Sequence, residues 1–442
     1  MRSSMISPGH AACCGEYARM SRRGFLRTSG AAAAALASAP AWLPRVSFAR
    51  AYDPRARDVI LQIFLHGGAD GLTLVPPFAD QTYPLIRPTI GFAHPDDTTR
   101  PAEERAVNLD GFFGLARAMQ ALAPAYQNGH LLFLHAAGST DPSRSHFDAQ
   151  RIMEVGRPDD PLLFTGWLGR HLATVDPLDP GAPLRAMAIS DAIQLTLAGG
   201  PRTLPINDAS KQTLDGDPTT EPQRRSALQS AYAGRLDPLS VSAIATLQTL
   251  DTLGRIDFAG YTPAPGAVYN PDSGLHQALR VAAALIKAQV GVEAVAMDYG
   301  GWDTHTMQGP FAGGDMFGSM QELSTAIAAF YADMVLSAQP QRIVLVVMSE
   351  FGRRAEENGD RGTDHGHGNA MLVLGHQVIG GRVLAAWPGL RDEQLDDGDV
   401  QVTTDYRDVL AEIIARRLGN PGGLDAVFPA HTPVFHNIVR TG

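Results

Sequence analysis

The chain has 442 residues, 46 acidic and 36 basic, and a net charge of −10 with histidine neutral. That balance argues against a nucleic-acid backbone as partner. The only cysteines, Cys13 and Cys14, sit at the extreme N-terminus, so the bulk of the chain has no disulfide, thiolate ligand or thiol nucleophile. Any bound metal must be held by histidine and carboxylate, which points to Zn, Mn, Ca or Mg rather than an iron–sulfur cluster.

The N-terminus reads as an export signal. Ser21-Arg22-Arg23-Gly24-Phe25-Leu26-Arg27 precedes the apolar run Ala31–Ala39, and small-x-small sites follow at Ala37-Ser38-Ala39 and Ser47-Phe48-Ala49. This is the order of a twin-arginine signal peptide. The apolar run is too short to span a bilayer comfortably. Residues 1–49 are therefore expected to be a signal handled by the twin-arginine translocase. The product is expected to be periplasmic or secreted and not membrane-spanning. Export of folded cargo is compatible with a buried metal. Residues 1–49 carry six Arg and one Glu, a local +5 that leaves −15 for the rest. The roughly 390 residues that follow can bury a large core.

Val59–Leu65 is a continuous apolar run, the pattern of a strand buried on both faces of a parallel sheet. It ends in His66-Gly67-Gly68-Ala69-Asp70-Gly71, which places His66 and Asp70 where open α/β sheets bind ligands; a tight turn with Asp70 bonding its own backbone explains the same residues. Proline-rich residues 73–110 are expected to be a surface loop. The spacing of Leu115, Met119 and Leu122 predicts a helix over Gly114–Tyr126. Leu131–Leu134 is the next strand. Asp141-Pro142-Ser143-Arg144-Ser145-His146 then opens a helix through Met153. Such a hydroxyl-rich helix start suits an anion or a serine nucleophile activated by a metal, although N-capping accounts for one hydroxyl.

Leu184–Ile189 reads as a strand. Residues 193–270 lose strand character and are expected to form an insertion or cap, with one helix over Ala227–Leu253. The Leu279, Val281, Ala282, Leu285 and Ile286 pattern marks a helix over Leu275–Val290. The strand Val292–Met297 leads to Asp303 and His305, whose spacing of two puts both side chains on one side of an extended segment. A helix over Phe317–Leu336 delivers the chain to the strand Ile343–Met348. Ser349-Glu350 follow it, and Asp364-His365-Gly366-His367 precede the strand Ala370–Leu374. Gly380–Val383 and the helix Arg407–Leu418 finish the fold. Alternating strands and helices give an α/β protein with a largely parallel sheet. Four polar sets at strand ends, His66/Asp70, Ser143–His146, Asp303/His305 and Ser349/Glu350 with Asp364/His365/His367, suggest a shared centre.

HGGADGL, GSTDPSRSHFDAQ, GGWDTH, SEFGRR and DHGHGNAMLVLG, in this order, resemble the motifs of the DUF1501 family across essentially the whole of residues 50–442. That family resembles the alkaline phosphatase/sulfatase superfamily. The resemblance implies an alkaline-phosphatase-like three-layer sandwich with a metal centre at the carboxyl edge of its sheet. It makes Asp70, Asp303, His305, Glu350, Asp364, His365 and His367 candidate ligands of one or two divalent ions. Ser145, or Ser143 as second choice, becomes the candidate nucleophile. Arg144 or Arg353 is a candidate to hold a non-bridging oxygen of a transferring group. The chain departs from the superfamily at Ser349-Glu350, where Asp-His would supply a His ligand to a second ion. The Cys/Ser-x-Pro-x-Arg signature of sulfatases is absent. The implied function is a metal-dependent hydrolase of phosphate or sulfate esters, with small-molecule or polymer substrates; the alternative is a non-catalytic binding or scaffold protein.

Overall fold

The computed structural model describes residues 53, 56–206, 213–214 and 216–442; residues 1–49, expected to be an export signal, lie outside them. Nine strands form one sheet: β1 Val59–Leu65, β2 Leu131–Gly138, β3 Ala186–Ile189, β4 Thr203–Pro205, β5 Ala294–Tyr299, β6 Ile343–Ser349, β7 Asn369–Gly375, β8 Arg382–Leu384 and β9 Thr404–Asp405. Their order is β8-β2-β7-β6-β1-β5-β3-β4, with β9 also pairing with β2. All pairings are parallel except the two that β7 makes, with β2 and β6.

β1 is central because every residue in it is apolar except Gln62 and all are buried. Val59, Leu61, Ile63 and Leu65 face one core, while Ile60 and Phe64 face the other, as the two-residue period of a strand requires. Seven of the helices cover the sheet or extend from it: α1 His146–Val155, α2 Trp167–Thr174, α3 Glu221–Tyr232, α4 Pro238–Leu253, α5 Gly274–Lys287, α6 Asp315–Met334 and α7 Tyr406–Arg416. α5 and α6 supply Leu279, Leu285, Met320 and Ile327 to the first core. α2 and α7 supply Trp167, Leu172, Tyr406 and Ile413 to the second. Helices on both faces explain why the strands read as continuous apolar runs rather than alternating ones.

Four expectations change. Residues 73–110 are not a surface loop: Leu74, Val75, Tyr83, Ile90 and Phe92 are buried and Arg87 is 1% exposed. The prolines there shape a packed cover. The segment 114–126 begins with two strand residues and continues as a 3₁₀ turn, Arg117–Leu122, before a short helix, Ala123–Gln127. The helix expected over 227–253 is two, α3 and α4. Gly234 takes φ +72° between them, and Asp237 caps α4 by accepting from Ser240 N at 3.1 Å. The 193–270 stretch also contributes β4, which pairs with β3 at the sheet edge; its backbone bonds are satisfied in a ladder despite Pro205, as an edge permits.

α2 carries a buried histidine. Burial, with the Arg185 and Arg57 charges, holds His171 down at about 3, while its Nδ1 lies 3.2 Å from the Asn420 amide. The ring is neutral in the fold and charges near pH 6.5 when unfolded, so its contribution is complete above pH 6.5 and is lost as pH falls toward 3. Urea unfolding of wild type and His171→Asn at pH 7 and pH 5 isolates it. Their difference in unfolding free energy should move against wild type by about 2 kcal/mol between those values. A constant difference would mean that His171 charges inside the fold.

Candidate metal centre

The topology gathers chain ends at one edge. β1, β5 and β6 run in the same direction, so His66, Asp303 and Glu350 follow from neighbouring carboxyl ends. β7 runs the other way and enters from that edge, which brings the preceding His365 to the same place. An antiparallel neighbour needs no crossover, so the whole 350–368 connection stays there. α1 starts after β2 and opens with His146. Helical side chains lean back toward the N-terminus, which suits a first residue for overhanging the strand ends. Gly67 allows a close approach: it takes φ +116°, and a Cβ on it would stand 2.5 Å from Asp303 N.

His146, Asp303 and His365 each offer one ligand atom, and these atoms lie within 4.8 Å of one another. The His365 Nε2 stands 3.2 Å from Asp303 Oδ1. The His146 Nε2 is 3.6 Å from Asp303 Oδ2; this nitrogen is buried and has no hydrogen-bond partner. His305 joins them, with Nε2 3.0 Å from Asp303 Oδ1 and 2.9 Å from His365 Nε2.

The other nitrogen of each ring decides the chemistry. His146 Nδ1 lies 2.8 Å from Glu350 Oε1, His305 Nδ1 lies 3.0 Å from Asp364 Oδ1, and His365 Nδ1 lies 2.9 Å from the Arg144 carbonyl. Burial alone would raise the Glu350 carboxyl, but hydrogen bonds from His146 and Gly67 N pull it below the usual range. The His305 bond lowers Asp364. Ionised carboxylates and carbonyls only accept hydrogen bonds, so each Nδ1 carries the hydrogen, and a ring without a second proton presents the lone pair of its Nε2 to the centre. Metal-ligating histidines are oriented in this way by outer acceptors. Two lone pairs 2.9 Å apart beside a carboxylate call for a proton or a cation. The rings respond accordingly. Burial pulls His146 down, but Asp303 and Glu350 overcome it and push the imidazolium up to about 9; the Asp303 hydrogen bond raises His305 despite burial.

Arg353 holds the frame. Its side chain is buried and donates to the carbonyls of Gly68 (2.6 Å), Thr363 (2.9 Å), Trp302 (3.0 Å) and Gly67, and to Asp303 Oδ1 (2.8 Å). It acts as a positioning residue, with its donors directed at the strand ends and Asp303.

The remaining candidates lie around this group without contributing an atom to it. Asp70 is fully buried in a salt bridge with Arg87 (2.5 Å) and accepts from Thr73 Oγ1 (2.6 Å) and Gln308 Nε2 (2.9 Å). Burial alone would raise its carboxyl, but the Arg87 charge and these bonds outweigh it and hold the group below the usual range. Glu350 and Asp364 stand behind His146 and His305. His367 Nε2 lies 2.8 Å from the Ser139 carbonyl. Arg144 pairs with Asp399 at 2.6 Å and Asp397 at 3.4 Å. Ser143 Oγ accepts from Ser145 N at 3.3 Å. Ser145 occupies the N-cap of α1, yet its side chain makes no capping bond. His146 is the ligand candidate that sequence reasoning passed over in favour of the neighbouring serines; its place as the first residue of a helix that follows a buried strand was the available signal.

Replacing Arg353 with Leu should cost about 3–5 kcal/mol, because it leaves buried carbonyls without donors and removes the guanidinium that faces Asp303. Urea unfolding measures it, and a change under about 1 kcal/mol would show that other groups hold these strand ends.

The family model described as "Protein of unknown function (DUF1501)" matches residues 57–419. No curated protein and no solved structure matches the chain. With the strand ends, histidines and glycines of the centre falling inside the matched range, the chain belongs to the DUF1501 family.

Proposed function

We propose that this protein is an exported metal-dependent hydrolase of phosphate or sulfate esters with an alkaline-phosphatase-like architecture. The observation that carries the reading is the set of three histidines whose Nδ1 atoms are each fixed by an oxygen acceptor, leaving Nε2 atoms around Asp303. Imidazole-rich sets suit Zn or Mn better than Ca or Mg. His146, Asp303 and His365 would hold the ion, with His305 beside them. A divalent ion in such a site lowers the pKa of a hydroxyl or water and offsets charge on a transferring group. Asp70 supports a single ion: its charge is already balanced by Arg87, and Glu350 is committed to His146, Gly67 and Ser349.

The chain's own groups have separable tasks. Glu350 and Asp364 orient His146 and His305. Arg353 fixes Asp303. The Ser145 hydroxyl, at the start of α1 next to His146, is the protein nucleophile this reading favours. The non-catalytic binding reading is favoured by one observation: Arg353 spends its donors on carbonyls and Asp303, and Arg144 is paired with Asp399. Neither is idle for a substrate oxygen. No described helix is long and apolar enough to cross a membrane.

Elemental analysis of protein purified from the periplasm should find about one equivalent of Zn or Mn. Glu350→Gln keeps the shape but weakens the orientation of His146, and should lower metal affinity about 10–100-fold. Metal at 100 times its Kd should add about 2.7 kcal/mol to stability in wild type. Metal content below half an equivalent, unchanged by added Zn or Mn, would reject the centre. With metal present, a panel of phosphate and sulfate esters tests chemistry: Ser145→Ala should abolish turnover, and equal turnover would make water the nucleophile.

A further inference from the structure

Further along the helix that presents His146, a second polar group has no task in the centre. A cleft of about 390 Å³ opens between α1 and residues 190–195, lined among others by Phe147, Gln150, Glu154, Ile193, Gln194 and Asp298. This is the volume of a small-ligand site. Phe147, Gln150 and Glu154 share one face of α1 by helical spacing. His146 to Glu154 spans about 12 Å along the axis.

The floor is rich in acceptors. Glu154 is 3% exposed; its Oε1 accepts from Thr196 N at 3.2 Å and its Oε2 from Gln150 Nε2 at 3.1 Å. Gln194 is 8% exposed. Its Nε2 donates to Asp298 Oδ2 at 3.3 Å, while its Oε1 is buried with no hydrogen-bond partner. A buried amide oxygen without a donor is worth about 1–3 kcal/mol of unmet hydrogen bonding. It therefore points to a ligand that brings a donor.

The charge balance selects the donor. Asp298 Oδ1 is paired with His66 Nε2 at 3.0 Å, and burial pushes Glu154 up to about 7. Arg151, which also lines the cleft, adds a cation, so the floor offers acceptors without a net negative field, which favours neutral hydroxyls over an ammonium or a metal ion. Phe147 at 36% exposure and Ile193 at 42% add apolar wall. A polar floor beside an apolar wall matches a ring with hydroxyls on its edge and C–H groups on its face.

We propose that this cleft is a carbohydrate subsite, holding a neutral hydroxyl-bearing ring of the substrate while the ester group of the same molecule lies at the His146–Asp303–His365 centre. The second half of that statement rests on the hydrolase reading above; the cleft itself does not.

Saturation-transfer NMR on the full chain tests it, using the methyl glycosides of glucose, galactose, mannose and N-acetylglucosamine, with ethanolamine as cationic control. At least one glycoside should bind in preference to ethanolamine. Gln194→Ala, and separately Ile193→Glu at the exposed rim, should weaken it about tenfold or more with circular dichroism and Tm unchanged. His146→Ala should leave glycoside binding intact. No glycoside binding, equal binding in both cleft variants, or preference for ethanolamine overturns the proposal. Glycoside binding in a protein that takes up no metal keeps the subsite and removes the hydrolase reading. Metal uptake without glycoside binding removes the subsite and keeps the centre.

Discussion

The Arg353 guanidinium is the constraint on which this edge of the molecule depends. It leaves the chain just after β6 and donates to carbonyls after β1, to a carbonyl and carboxylate after β5, and to a carbonyl in the connection before β7. Three stretches far apart in sequence, those after β1 and β5 and the connection between β6 and β7, are thereby fixed by one planar fork. Arginine suits this because its donors lie in a rigid plane and its charge is permanent. A buried cation needs a counter-charge, and Asp303 supplies it. The carboxylate around which the histidines gather is thus also the one that makes the buried arginine tolerable.

Two aspartates at this edge meet different fates for the same electrostatic reason. Asp70 faces Arg87, Thr73 and Gln308, which satisfy it within the fold. Asp303 faces Arg353 on one side and three imidazoles on the other. Neutral imidazoles with their hydrogens turned outward present lone pairs to a carboxylate, an arrangement unfavourable without a positive charge between them. Protons on His146 and His305 relieve it, and a divalent ion would relieve it more completely. Glu350, which first looks like a ligand, instead sets the direction of His146.

The sheet could be read from the chain because its strands are covered on both faces. Val59–Leu65, Ile343–Ser349 and Asn369–Gly375 stand out as apolar runs, and the glycines and polar residues after them mark their ends. Elements that fail this simple test were misread. The 73–110 stretch looks like loop because its prolines break any period, yet Tyr83 and Arg87 anchor it inside. Pro205 sits in a strand because that strand lies at the sheet edge. At the site, Asp303, His305 and His365 could be nominated from their residue types and spacing, whereas His146 was hidden behind the more conspicuous serines.

The sequence by itself determined the α/β class, the set of strand ends that carry polar residues, and the family to which the chain belongs. These depend on local periodicity and on ordered motifs, both of which are properties of the linear chain. Only the tertiary structure decided which polar residues meet. Asp70 and Asp303 each follow a buried strand, and nothing in their neighbours shows that Arg87 closes on one and Arg353 with three histidines on the other. That choice is made by contacts between residues 17 to 238 positions apart around Asp70 and by a carboxylate–imidazole pairing across 204 positions at Glu350. Charge pairing in a desolvated interior depends on distances of a few ångströms, and only the folded chain sets them.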